Sequence, residues 1–201
     1  MNKICFYIMV SDTGFAPNPF HGFCTLALCT PNHMRARLVK DDWIIGCFRS
    51  GKPPLVVYVM QIEKVLRLDE YYRNPRYACK KPSNTGCQNR VGDNIYYLDS
   101  GVKQQDPMAK FHQDMANQKK DWRGDRVFIA PRFTYFGNSA ISLPEKFHDC
   151  LPKTQGIKYL FDNNSLYRDF VDWNKSFEAG VLGFPRDQEK CTPDRCRGCE
   201  T

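Results

Sequence analysis

The sequence has no apolar run near the ~18–20 residues that a membrane-spanning helix needs, which excludes a helical membrane protein. It contains neither G-x-G-x-x-G nor G-x-x-x-x-G-K-[ST], so dinucleotide-binding and P-loop folds are not expected. There is no internal repeat and no low-complexity tract. Histidine is scarce: four residues in 201, with no H-x-x-x-H or H-E-x-x-H pair that would place a metal on one helix. Ten cysteines fall short of the ~8–10% that marks a disulfide scaffold. The opening segment MNKICFYIMVSDTG lacks a small-residue cleavage site and reads as a first strand rather than a secretory signal. Reduced thiols and a cytoplasmic location follow as expectations.

What is present is a 201-residue chain with 42% apolar and 13% aromatic residues, enough to bury a real core. Lys and Arg number 29 against 22 Asp and Glu, a net charge of +7. The excess is spread through residues 31–54, 63–90 and 102–132, with no polybasic tail. That distribution suits either a solvated surface or an anion-binding face.

β-branched and aromatic runs predict strands at residues 3–10, 23–30, 42–48, 55–65 and 126–136, with a short one at 95–98. Pro131 interrupts the run at 126–136, marking an edge or bulge. Helical spacing of Leu166, Phe170, Trp173 and Phe177 predicts a helix over 165–179, with Ser165 as N-cap and Gly180 as the stop. Ser142 and Glu145 form a capping-box pattern for a short helix to about Cys150. Residues 68–73 and 106–119 carry further helix patterns, while 79–94 and 99–105 read as loops. Strands early and helices late make an α+β fold with a mixed or mostly antiparallel twisted sheet, or a PUA/EVE/ASCH-like partial barrel with flanking helices. Residues 1–185 read as one domain and 186–201 as a Cys-rich tail.

The densest polar signal is SDTGFAPNPF, directly after the first strand. Asp12 suits a general base or a base-edge acceptor. Thr13, Gly14 and Asn18 lie in a loop stiffened by Pro17 and Pro19; an ordinary Asx turn accounts for the same residues. Arg35 and Arg37 precede the turn Lys40-Asp41-Asp42-Trp43. A basic residue before a K-x-G-D turn and an apolar strand resembles small barrel domains of the PUA, ASCH and EVE type, some of which hold a modified base in an aromatic pocket. Tyr71, Tyr77 and Arg76 interleave aromatic faces with cations, as single-stranded nucleic-acid surfaces do. Trp43 and Tyr135 offer further stacking faces, and Asp93 and Asn94 carry the donors and acceptors that read a base edge. Packing on a sheet accounts for the aromatics equally well.

Cys24 or Cys29 as a nucleophile needs a thiolate stabilised by Arg35, Arg37 or His33, which burial in an apolar run opposes. His112, with Asp114 nearby, suits acid–base work near neutral pH, or is a surface histidine. Cys191, Cys196 and Cys199 give C-x4-C-x2-C. That spacing suits zinc with a fourth ligand from Cys150, His148, Cys87 or Cys79. An iron–sulfur cluster and three unliganded thiols are the other readings.

Collinear stretches over roughly residues 3–150 resemble the nucleotide modification associated domain 2 family of phages and bacteria. They are Asp12–Pro19, Cys24–Ala27, Pro31 with Arg35, Asp42–Gly46, Tyr58–Met60, Asp69–Tyr72 with Pro75–Tyr77, Gly92–Tyr96 and Phe133–Gly137. The resemblance implies work on modified or modifiable nucleotides in DNA. The expected function is binding of a nucleotide or base through an aromatic and arginine-lined pocket. An enzyme with Asp12 as general base is the alternative, and a phage protein that binds a host defence protein is the third. Expected partners are a nucleotide or DNA, with a host or phage protein for the third reading, and no membrane; the one cofactor considered is zinc.

Overall fold

A computed structural model describes residues 1–49 and 53–188. The strands are β1 (Lys3–Met9), β2 (Cys24–Leu26), β3 (Trp43–Phe48), β4 (Leu55–Gln61), β5 (Lys64–Leu66), β6 (Tyr96–Asp99), β7 (Val102–Gln105), β8 (Val127–Ala130), β9 (Arg132–Tyr135), β10 (Ile141–Ser142), β11 (Ile157–Phe161) and β12 (Gly180–Val181). The helices are α1 (Thr30–His33), α2 (Leu68–Arg73), α3 (Gly86–Arg90), α4 (Met115–Gly124) and α5 (Ser165–Lys175), with 3-10 turns at Pro75–Lys80, Gly137–Ser139 and Glu145–Cys150. This is an α+β fold. Among the described residues there is no closed barrel, and no helix is long and apolar enough to cross a membrane.

The main sheet runs β11-β1-β3-β4-β9-β12, with β10 beside β4. β1 and β3 pair in parallel, as do β9 and β12, and the remaining pairs are antiparallel. A second sheet, β2-β8-β5, is antiparallel. The two sheets share one bent ribbon. The β4–β9 ladder ends at Gln61↔Arg132 and resumes as β5–β8 at Lys64↔Ile129. Pro131, which donates no ladder hydrogen bond, marks where one strand leaves the second sheet and enters the first.

Alternation along β1 assigns its two faces. Cys5, Tyr7 and Met9 pack towards the second sheet with Ile44, Tyr58, Met60, Leu26 and Phe128. Ile4 and Phe6 pack on the other face with Ile45, Phe147 and Phe170 of α5. A third cluster, with Phe15, Leu68, Tyr71, Tyr96, Val127 and Ile129, covers the far side of the second sheet. Asp42, fully buried, ties the start of β1 to the turn before β3. Its carboxylate accepts Lys3 N–H and Val39 N–H, both at 2.9 Å.

Several local expectations shift. The helix pattern at 106–119 resolves into an irregular stretch followed by α4, whose N-cap Asp114 accepts Asn117 N–H at 2.9 Å. Met108, Phe111 and Met115 have helical spacing, but Met108 and Met115 stay exposed and Phe111 packs on Phe15 from the irregular stretch, so they form no buried helix face. α5 is capped by Asn164, which accepts Leu166 N–H at 2.9 Å, and it ends at Lys175. Gly180, with φ +111, begins β12 instead of stopping the helix. Ser142 ends β10 rather than capping the turn after it. Residues 102–105 form a strand paired with β6, and 86–90 form α3, where loops were expected.

Candidate functional site

A cleft of about 380 Å³ opens beside the carboxyl end of β1. That lies within the ~300–1,000 Å³ range of small-molecule sites. Its walls include Ser11, Thr13 and Phe15 from the loop after β1, Cys29 and His33 around α1, and Phe111, His112 and Lys120 from the stretch around α4.

The chemistry of the cleft centres on Asp121. Its carboxylate is buried, at 1% exposure. Oδ1 lies 2.6 Å from His33 Nε2 and Oδ2 lies 2.6 Å from His112 Nδ1. Tyr96 O–H donates to Oδ2 at 2.9 Å. An ionised carboxylate only accepts, so each of these ring nitrogens carries a hydrogen. The second nitrogen of a neutral ring, His33 Nδ1 or His112 Nε2, is then an acceptor. The two imidazoles are 23% and 21% exposed, with centroids 6.2 Å apart. Burial raises the Asp121 carboxyl pKa, but the hydrogen bonds from His112 and His33 outweigh it and hold the group below the usual carboxylate range. The arrangement is a pair of partly exposed imidazoles oriented by one buried anion, which is how proteins set up acid–base groups or metal ligands.

Each ring is held from behind. Asn32 donates its Nδ2 to Leu26 O and Ala27 O, at 3.0 and 2.8 Å, which pins the single turn of α1 to β2. Gly124 lets α4 approach that turn: a Cβ there would lie 2.8 Å from Asn32 O. On the other side, Gln105 Nε2 donates to Phe111 O and His112 O, at 3.1 and 3.2 Å. Phe15 stacks on Phe111 at 4.5 Å and meets the His112 ring edge-on at 5.3 Å. His112 takes a left-handed backbone, φ +56, which a bulky side chain rarely adopts.

A second depression of about 350 Å³ adjoins the first through Thr13 and Phe111. Among the described residues its walls include Arg90, Lys110 and Asp187. Arg90 Nε is buried and has no hydrogen-bond partner among the described residues.

The residues singled out from sequence separate into three groups. Thr13 and His112 line the cleft. Asp12, Asn18, Cys24, Trp43, Tyr71, Tyr77, Asp93, Asn94 and Tyr135 are buried and engaged with one another or with the core. Asp12 accepts Tyr135 O–H at 2.7 Å and Arg186 N–H at 3.1 Å, so both carboxylate oxygens are occupied. Burial still pushes its carboxyl above the ordinary range. Asp93 accepts Thr25 O–H at 2.7 Å and Tyr71 O–H at 2.8 Å. Lys80, fully buried, donates to Asn18 O, Asn18 Oδ1 and Phe23 O at 2.9, 2.7 and 2.7 Å. Asn94 Nδ2 donates to Tyr71 O and Tyr77 O, at 3.2 and 3.0 Å. Trp43 packs edge-on against Phe170 at 6.0 Å. Burial pushes the Cys24 and Cys29 thiols far up, against a nucleophilic thiolate.

The third group is exposed: Arg35, Arg37 and Arg76, the last lying over the Phe23 ring at 4.9 Å. None of them lines the cleft. Gly14 turns the chain after Thr13 with φ +79. The tail cysteines Cys191, Cys196 and Cys199 lie outside the described residues. Cys79 and Cys150 are free thiols.

Sequence reasoning missed Asp121 and gave His33 only a helper's part. His33 and Asp121 are 88 residues apart and His112 and Asp121 nine, in α1, α4 and the irregular stretch before α4, so no local spacing joins them. The nearer Asp114, the obvious partner for His112, is used as a helix cap.

A family model described as nucleotide modification associated domain 2 matches residues 1–192 of the 201. No curated protein and no solved structure matches the chain.

Proposed function

The chain belongs to the nucleotide modification associated domain 2 family, and on that premise we propose that it takes a nucleotide into the cleft beside β1 and modifies it. The observation that carries this reading is the cluster of His33 and His112, both anchored on buried Asp121 and both lining that cleft. A structural histidine is commonly enclosed or fully solvated. These two are oriented from behind and open to one cavity, as general acid–base groups or metal ligands must be. Lys120 lines the same cleft, and Arg90 and Lys110 line the adjoining depression, so cations are available for a phosphate. Substrate contact at Asp12, Asn18, Asp93 or Asn94 is not supported by their placement, because all four are buried and none of them lines the cleft.

The test is nucleoside mass spectrometry after incubation with genomic DNA and, separately, with a nucleotide pool, alongside nucleotide-binding calorimetry. The expected result is a mass change with the natural protein and none with Asp121→Asn, which still binds nucleotide. Bound nucleotide without any mass change in the natural protein replaces modification with recognition at the same cleft. No binding and no mass change overturns the proposal.

A further inference from the structure

We propose that His33, His112 and Asp121 bind one divalent transition-metal ion at the wall of the cleft, an inference that rests on that cleft being the working site. One ring nitrogen of each histidine and a carboxylate oxygen converge, all within 4.8 Å of one another. Imidazole with carboxylate is a ligand set for zinc and for ferrous iron. Three protein ligands leave a coordination position free, the arrangement of catalytic rather than structural zinc. Here the free position falls on the side of the two partly exposed rings, where the cleft is.

The surroundings suit an ion. Tyr96 O–H holds Asp121 Oδ2 from the protein side, the kind of outer hydrogen bond that orients a ligating carboxylate. Metal–ligand bonds of about 2.0 Å place neighbouring donor atoms ~3 Å apart. The present N···O separations are 2.6 Å, each ring on its own carboxylate oxygen, so admitting an ion requires each ring to withdraw from its oxygen by less than ~1 Å and the two ring nitrogens, within 4.8 Å of each other, to turn towards one centre. Each N–H···O contact is exchanged for a nitrogen–metal bond. A neutral ring keeps its proton by moving it to the other nitrogen, and a protonated ring releases one to solvent. With Lys120 at the same cleft, the open position favours an anionic oxygen, such as that of a nucleotide phosphate.

Metal content separates this site from the tail cysteines. Full-length protein carrying Cys191→Ser, Cys196→Ser and Cys199→Ser is purified without an affinity metal. Its metal content is measured by plasma mass spectrometry, and its Zn²⁺ binding by calorimetry after chelation. The expected result is one equivalent per chain. It is lost in the further variant His33→Gln/His112→Gln, and the cobalt-substituted protein shows no thiolate-to-cobalt charge-transfer band. If the double histidine variant does not fold, His112→Gln alone must weaken Zn²⁺ binding at least tenfold. Protein that neither retains metal nor binds Zn²⁺ overturns the proposal, as does binding that the histidine substitutions leave unchanged. Nucleotide binding by chelated protein is measured in parallel. Retained nucleotide binding with no metal site removes the ion and leaves the cleft reading intact. A metal site with no nucleotide binding removes the cleft reading instead.

Discussion

Asp93 and Asp121 are both buried, at 1% exposure, and each accepts one tyrosine hydroxyl, from Tyr71 at 2.8 Å and from Tyr96 at 2.9 Å. Their other partners differ. Asp93 takes Thr25 O–H and feels the fully buried Lys80, and burial raises its carboxyl. Asp121 takes two imidazoles, and their hydrogen bonds carry its carboxyl in the opposite direction, below the usual range, against the effect of burial. One network is closed on itself and the other opens to a cleft. The contrast teaches that a buried polar cluster is not in itself a site. What distinguishes a site is a group left over, reachable from outside, after the internal hydrogen bonds are counted.

The sharpest way to break the comparison is to remove the charge from the closed network. Lys80→Met removes three charge-assisted hydrogen bonds, although Asn18 O keeps Thr25 N–H at 2.9 Å and Asn18 Oδ1 keeps Phe20 N–H at 3.4 Å, and it leaves Asp93 without its cation. Hydrogen bonds to a charged group contribute ~1.5–3 kcal/mol each. A loss of about 4 kcal/mol lowers the unfolding midpoint by roughly 10 °C for a chain of this size. Thermal unfolding measures it. A change under roughly 2 °C shows that Lys80 is not what holds the closed network. Asp121→Asn is the matching change in the open network. Solvent at the two imidazoles limits the stability cost to ~1–3 kcal/mol, while the mass change per bound nucleotide falls at least about a hundredfold.

The same pair differs in pH response. Burial pulls the Lys80 ammonium from 10.5 down to about 8. Between those values the unfolded chain binds more protons at this residue than the folded one, so its contribution to stability increases with pH across that window. Below about 8 the cost of burying the charge is present in full. Buried tyrosines and cysteines, raised in the fold, slope the other way. The difference between the natural protein and Lys80→Met isolates the lysine. In denaturant titrations that difference should shift in favour of the natural protein as pH rises from 8 to 10. A difference independent of pH overturns the depressed ammonium.

How much was readable beforehand follows the same division. Strands such as β1, β3 and β4 announce themselves because β-branched and aromatic side chains fill both faces of a buried sheet. α5 shows its helical period because one face packs on that sheet. The break at Pro131 was visible, but not that the chain there changes sheets, which depends on the distant pairing of Lys64 with Ile129. In the closed network, Asn18, Asp93, Asn94, Tyr71 and Tyr77 drew attention as polar and aromatic residues in loops; that Tyr71 bonds Asp93 and that Asn94 Nδ2 ties Tyr71 O to Tyr77 O appears only when the loops are brought together. The family resemblance agrees with the family match. Of the open network, His112 alone carried a role in its own right. His33 and Asp121 gained theirs from tertiary approach, with α1 pressed on the bare face of Gly124 in α4.

The smallest expected effect tests the boundary of the open region. Arg35 and Arg37 are exposed and lie outside the cleft wall. In water, a unit charge ~10 Å from a phosphate contributes about 0.4 kcal/mol before salt screens it. Arg35→Ala and Arg37→Ala, singly, should therefore change the nucleotide Kd less than about twofold at physiological ionic strength. Lys120→Ala, which removes a cation that lines the cleft, should change it more. Calorimetry at two salt concentrations orders the three variants. If an arginine variant loses more than tenfold while Lys120→Ala loses little, the phosphate sits over the turn before β3. The cleft beside β1 would then not be where the nucleotide is held, and the distinction between open and closed networks would lose its functional meaning.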